Sequence, residues 1–146
     1  SSSYTLPFRD LKRFLSGLEW SLNHTAGAIR MYMQLARLAP DDAAAEEMER
    51  LLLRERKFYL LAEELYKELI GREPVIAPLY TPTFLSFVEG VRDAIAIERE
   101  AIRQCRDTYL LTPSPRVRDL YFLALSDGVD RLASLFLLSQ PGAAAV

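Results

Sequence analysis

What most constrains this chain is where its helix breakers stand. Pro40, the stretch "GREPVIAPLYTPT" beginning at Gly71, and the corner "TPSPR" cut it into four long segments. Each segment carries apolar residues at helical spacing. The first runs from about Phe8 to Ala39, with a seam of Leu11, Phe14, Leu18, Leu22, Thr25, Ala28, Ile29, Tyr32 and Leu35. The second runs from about Asp42 to Ile70, opened by a cap in "PDD" and closed by Gly71. The third runs from about Pro82 to Leu111, on a seam of Phe84, Phe87, Val88, Val91, Ala94, Ile95, Glu98, Ala101, Ile102 and Cys105. Ser114 caps the fourth, Pro115 takes its first position, and it runs to about Ser139 before the frayed tail "QPGAAAV". No stretch alternates as a strand would.

Segments of about 26–32 residues make helices ~40–48 Å long. The first and third corners are short, which forces antiparallel neighbours. The middle connection, extended, can reach ~40 Å. It can therefore run back along the bundle and leave the second and third helices parallel. The expected fold is all-α: a four-helix bundle of two antiparallel hairpins joined by a long crossover. It is expected to be one domain over residues 1–146, with its core at about 8–139.

Half of the residues are hydrophobic, 26% are charged, and the net charge is -2. Basic and acidic side chains interleave, so no one-sided patch invites nucleic acid. The longest apolar runs, such as "LASLFLL", fall far short of the ~20 residues that span a bilayer. The start "SSSYTLPFRD" has no signal-peptide layout, and a single cysteine, Cys105, permits no internal disulfide and no cysteine-built metal site. A cytoplasmic protein is the expectation.

Two glutamates stand where a solvated carboxylate does not belong. The helical neighbours of Glu55 are Met48, Leu51, Leu52, Phe58, Tyr59 and Ala62, all apolar. Those of Glu98 are Val91, Ala94, Ile95, Ala101, Ile102 and Cys105, again all apolar. Both lie midway along their helices. Inward carboxylates at mid-helix are the mark of a di-metal carboxylate site in a four-helix bundle. Other acids, such as Glu49 and Glu100, have charged neighbours and ordinary solvated positions.

The stretches "HTAGAIRMYMQLARLAP", "RERKFYLLAEELYKELIG", "IEREAIRQCRDTYLLTP" and "VRDLYFLALSDGVDRLASLF" carry a resemblance. From roughly residue 11 to residue 138 the chain resembles the rubrerythrin-like branch of the ferritin-like superfamily. That family places Glu-x-x-Ala-x-x-x-Tyr on the first and third helices and Glu-x-x-His on the second and fourth. Ala28 and Tyr32 fix the first motif, so its glutamate position holds Thr25. The second helix keeps Glu55 but has Phe58 at the histidine position. The third keeps Glu98 and Ala101, with Cys105 where the tyrosine often sits. On the fourth, Gly128 replaces the glutamate and Arg131 the histidine.

The resemblance therefore implies a lost di-iron centre. Such a site needs about four carboxylates and two imidazoles, and only Glu55 and Glu98 remain. A guanidinium does not deprotonate in proteins, so Arg131 puts a fixed positive charge where a cation belonged. The expected central network is Glu55, Glu98 and Arg131, with Tyr32 as a further hydrogen-bond donor and the small Thr25 and Gly128 leaving room. No cofactor is expected, with iron or another divalent metal as the alternative. His24, near Trp20, is expected to be a packing or surface residue, and Cys105 an inert buried thiol. Asp127 and Asp130 are expected to be solvated or locally paired. Trp20 and the crossover offer apolar surface for self-association.

The leading function class is a non-enzymatic structural or interaction protein. The second is a metal-binding oxidoreductase or iron-handling protein of rubrerythrin type with an altered site. The third is a small-molecule binder using the vacated cavity lined by Thr25, Tyr32, Phe58 and Gly128. Related bundles often form dimers, so a homodimer is expected, with neither nucleic acid nor membrane as partner.

Overall fold

The computed structural model describes residues 10–78, 83–111 and 114–140. They form four helices: α1 (Leu11–Leu38), α2 (Asp42–Ile70), α3 (Phe87–Tyr109) and α4 (Pro115–Leu138). Among the described residues no helix is long and apolar enough to cross a membrane.

Local chemistry sets the starts of α1, α2 and α3, whereas α4 starts at Pro115 with no cap hydrogen bond to the Ser114 side chain that was expected to cap it. The Asp10 carboxylate accepts from the Arg13 N–H and the Asp41 carboxylate from the Ala44 N–H, which caps α1 and α2. Gly71 ends α2 at φ 83°, a left-handed conformation in which a side chain would be strained. α3 corrects the expectation of a start at Pro82, which lies outside the described residues. Ser86 is extended, and its hydroxyl accepts from the Glu89 N–H at 3.1 Å, so the helix begins at Phe87. Phe84, expected on that helix, precedes it. It is still buried, and its N–H donates to Gln34 Oε1 at 3.1 Å. The first helix, expected from about Phe8, which lies outside the described residues, begins at Leu11, because Asp10 is extended and caps it.

Contacts along the chain give the topology. α1 packs on α2, α3 on α4, α1 on α3 and α2 on α4. In the crossover, the Ala77 N–H donates to Asn23 Oδ1 at 2.8 Å, and Phe84 then reaches Gln34. The connection thus runs along α1 towards its C-terminal end, where α2 begins. α3 starts there too, so α2 and α3 are parallel. Arg116 pairs with Glu68, Arg54 with Asp130, and Arg50 with Ser134. Each step up α2 meets an equal step down α4, so this pair is antiparallel. The architecture is two antiparallel hairpins joined by a long crossover.

The core has two apolar ends. One gathers Tyr32, Leu35, Met48, Leu51, Phe87, Val91 and Leu135. The other gathers Phe14, Leu18, Leu22, Ala62, Tyr66, Cys105 and Tyr121. On every helix the chain passes from one cluster to the other through a short polar interval: Thr25 on α1, Glu55 on α2, Glu98 on α3, and Gly128 with Arg131 on α4. Close approach of α1 and α3 depends on Gly90, where an added Cβ would lie 2.5 Å from Leu35 Cδ2 and 2.8 Å from Phe84 Cδ2.

Candidate functional site

The polar intervals meet in one layer at mid-bundle. Glu55 is 2% exposed, Glu98 0% and Arg131 7%, so three ionisable groups are buried together. Arg131 Nε lies 3.0 Å from Glu55 Oε1 and 3.2 Å from Glu98 Oε2. The Tyr32 hydroxyl donates to Glu98 Oε1 at 2.8 Å. The Arg131 side chain thus ties α4 to α2 and α3, and Tyr32 brings in α1. The Nε–H is shared between two oxygens and aimed squarely at neither. Among the described residues, Arg131 Nε, Glu55 Oε1 and Glu98 Oε2 have no hydrogen-bond partner of good geometry.

Charge in this layer is not balanced by count, since one guanidinium faces two carboxyl groups. Burial pushes the Glu55 carboxyl up to about 7, against the pull of Arg131 and helped by Glu98 and Asp127. Burial alone would weaken the Arg131 cation, but Glu55 and Glu98 outweigh it and raise its pKa above the ordinary value. Burial, then Glu98, raises the Tyr32 phenol well above its usual range, so it stays a donor. Burial also pushes the Cys105 thiol up to about 12, which makes it a poor nucleophile at neutral pH.

Beside the ion pair lies a cavity of about 20 Å³. That is room for about one water. Thr25, Phe58 and Gly128 line it, as do Trp20, His24 and Cys105. Phe58 turns edge-on to Tyr121 at 6.1 Å, and Tyr121 is held by the edge of Phe14 and by the Ser21 hydroxyl at 3.1 Å. A Cβ at position 128 would meet Ile102 Cγ1 at 3.1 Å and Arg131 Nη2 at 3.7 Å, so glycine there makes space for both. Asp127 and Asp130 turn towards α2, where Asp130 lies 2.6 Å from Arg54 and 3.0 Å from Arg50.

His24, expected to be a packing or surface residue near Trp20, packs there. Its ring stacks on Trp20 at 4.8 Å, and among the described residues its buried Nε2 has no hydrogen-bond partner. Burial lowers its pKa, Glu98 opposes and Arg131 assists, so the imidazole is neutral at neutral pH. The signal was present in its adjacency to Thr25 and its four-residue spacing from Trp20. The expected members Glu55, Glu98, Arg131, Tyr32, Thr25, Phe58 and Gly128 all come together around this layer. Among the described residues, no group of three or more His, Cys, Asp and Glu side chains is arranged to hold a metal ion.

No family model matches the chain, and no curated protein matches it. The fold is similar to solved structures. A hypothetical protein from Pyrococcus furiosus superposes with a TM-score of 0.76 at 18% identity, covering 84% of this chain and 85% of that one. A conserved hypothetical protein from Mycobacterium tuberculosis superposes with a TM-score of 0.79 at 14% identity, covering 88% of this chain and 98% of that one. At these identities the likeness establishes a shared all-α fold.

Proposed function

We propose that this chain is a ferritin-like bundle of the rubrerythrin branch that has exchanged a di-iron centre for an ion-pair layer. In this reading it serves as a non-enzymatic structural or interaction protein. One observation carries the proposal. A guanidinium sits 3.0 and 3.2 Å from the two carboxylates that such a bundle would turn on a metal. Its charge and bulk fill the position of a cation, and it cannot give up its proton to make way.

The donor set does not fit a di-iron centre. Thr25, Phe58, Gly128 and Arg131 offer no carboxylate or imidazole at the expected places. His24 and Cys105 also line the cavity, but they do not join the two glutamates as a chelating group. The metal-handling alternative would need Arg131 to leave the layer and expose two buried acids to each other. The small-molecule alternative has too little space, because ligand pockets are usually ~300–1,000 Å³ and this cavity is about 20 Å³.

Thermal unfolding with added Fe²⁺, Mn²⁺ or Zn²⁺ tests the proposal. A metal that binds only the folded chain raises its midpoint with concentration. The midpoint is expected to stay fixed. A saturable rise that disappears in both Glu55→Gln and Glu98→Gln would overturn the proposal.

A further inference from the structure

We infer that the outer face of α4 is a two-fold interface with a second copy of this chain. The helix is apolar on both sides. Its inner side buries Val117, Leu120, Tyr121, Gly128, Arg131 and Leu135. Opposite them run Phe122, Ser126, Val129, Ala133 and Phe136, spaced four, three, four and three residues apart. That is the seam of a helix pair. All five are exposed in the single chain, with Phe122 at 59%, Val129 at 59% and Phe136 at 46%. A surface helix ordinarily shows solvent a polar face opposite its buried one, and this helix instead shows a second apolar stripe.

The order of side chains says what covers it. From either end the seam reads large, small, valine, small, large. A two-fold contact requires a patch to be its own complement, and this one is, about Val129. Antiparallel pairing sets Phe122 beside the second copy's Phe136, with Ser126 and Ala133 leaving space for the rings. No charged residue lies on the seam. Asp127 and Asp130 turn aside to Arg54 and Arg50 on α2. At the ends, Arg118 and Asp119 would face Ser139 and Gln140 of the second copy, so like charges do not meet. A parallel pairing would set Arg118 against Arg118.

The area suffices. Phe122, Val129, Phe136 and the bordering Leu137, 71% exposed, present on the order of 500 Å² of apolar surface. Two copies then bury on the order of 1,000 Å² before flanking residues count, which is where specific interfaces begin. This inference does not depend on the central layer. It also moves self-association away from Trp20, which stacks on His24.

Sedimentation of the full chain, with cysteine cross-linking, tests it. The wild type is expected to be a dimer, and Val129→Glu is expected to weaken it at least about a hundredfold, since like charges meet at the axis. Helical circular dichroism should be unchanged. Mild oxidation should link Val129→Cys to its own copy. It should not link Phe122→Cys to itself, because those positions lie ~20 Å apart across the axis. A mixture of Phe122→Cys and Phe136→Cys should link. A wild type that stays monomeric at the highest soluble concentration overturns the inference and leaves the face to a different partner. So does a dimer that survives Val129→Glu with its helices intact. Should Val129→Glu lose helix, the linking pattern decides: Phe122→Cys linking to itself more readily than Val129→Cys is the contrary result.

Discussion

Among the described residues, Arg131 is the one cation facing both Glu55 and Glu98 in the buried layer, so its removal leaves two acids there without a positive partner. Arg131→Met is expected to destabilise the chain by about 3–5 kcal/mol in urea unfolding. Adding Glu55→Gln and Glu98→Gln to that variant should restore much of the loss, because no buried charge then remains. Glu55 also sets a pH dependence. The folded chain keeps its proton up to about 7, whereas the ordinary value is 4.5. Its contribution to stability is therefore complete below about 4.5 and is lost as pH rises through about 7. His24 has the opposite sign: its pKa is lowered from 6.5, so its contribution is present above that value and declines as pH falls. Comparison with Glu55→Gln separates the two. The stability of that variant relative to wild type should rise by roughly 2–3 kcal/mol from about pH 5 to about pH 8. Both glutamates were legible in the sequence because every helical neighbour is apolar. Arg131 was expected in the layer only through the resemblance, since its own helical neighbours do not single it out. For His24 the place near Trp20 was legible from spacing, but the direction of its ring was not, because periodicity carries no information about rotamers.

At the scale of elements, α2 and α4 begin and end close to where their breakers predicted, and α1 ends before Pro40 as read. Asp41 and Gly71 bound α2 as read, since a carboxylate cap and a left-handed glycine act locally. α3 begins later than Pro82 because the Ser86 hydroxyl captures the Glu89 N–H. The apolar seam continued through Phe84 without helix, since burial constrains which side chain faces inward and leaves the backbone conformation open. Ser86→Ala is expected to cost about 1 kcal/mol. Gly90→Ala should cost about 1–3 kcal/mol, by forcing Leu35 and the Phe84 ring aside. Chemical denaturation measures both, and a neutral Gly90→Ala would mean that α1 and α3 can part without loss. The ring of Arg50, Arg54, Asp127 and Asp130 between α2 and α4 is more than a third exposed. Such pairs add little stability each; their constant offset along the two helices fixes register.

For the whole molecule, the bundle follows from corner lengths. Two short corners leave two hairpins, and a connection long enough to return along α1 leaves α2 and α3 parallel. That much was legible because it is geometry. What the polar layer does was less so, because two inward acids at mid-bundle are equally compatible with a metal site and with an ion-pair layer. The most direct measurement is elemental analysis of the full chain, purified from cells grown with excess iron and then equilibrated with Fe²⁺. An ion-pair layer predicts iron far below one ion per chain, and the same result for Glu55→Gln. Iron held at one or two ions per chain in the wild type, and lost in Glu55→Gln and Glu98→Gln, would mean that those acids still grip a metal and that Arg131 does not replace it.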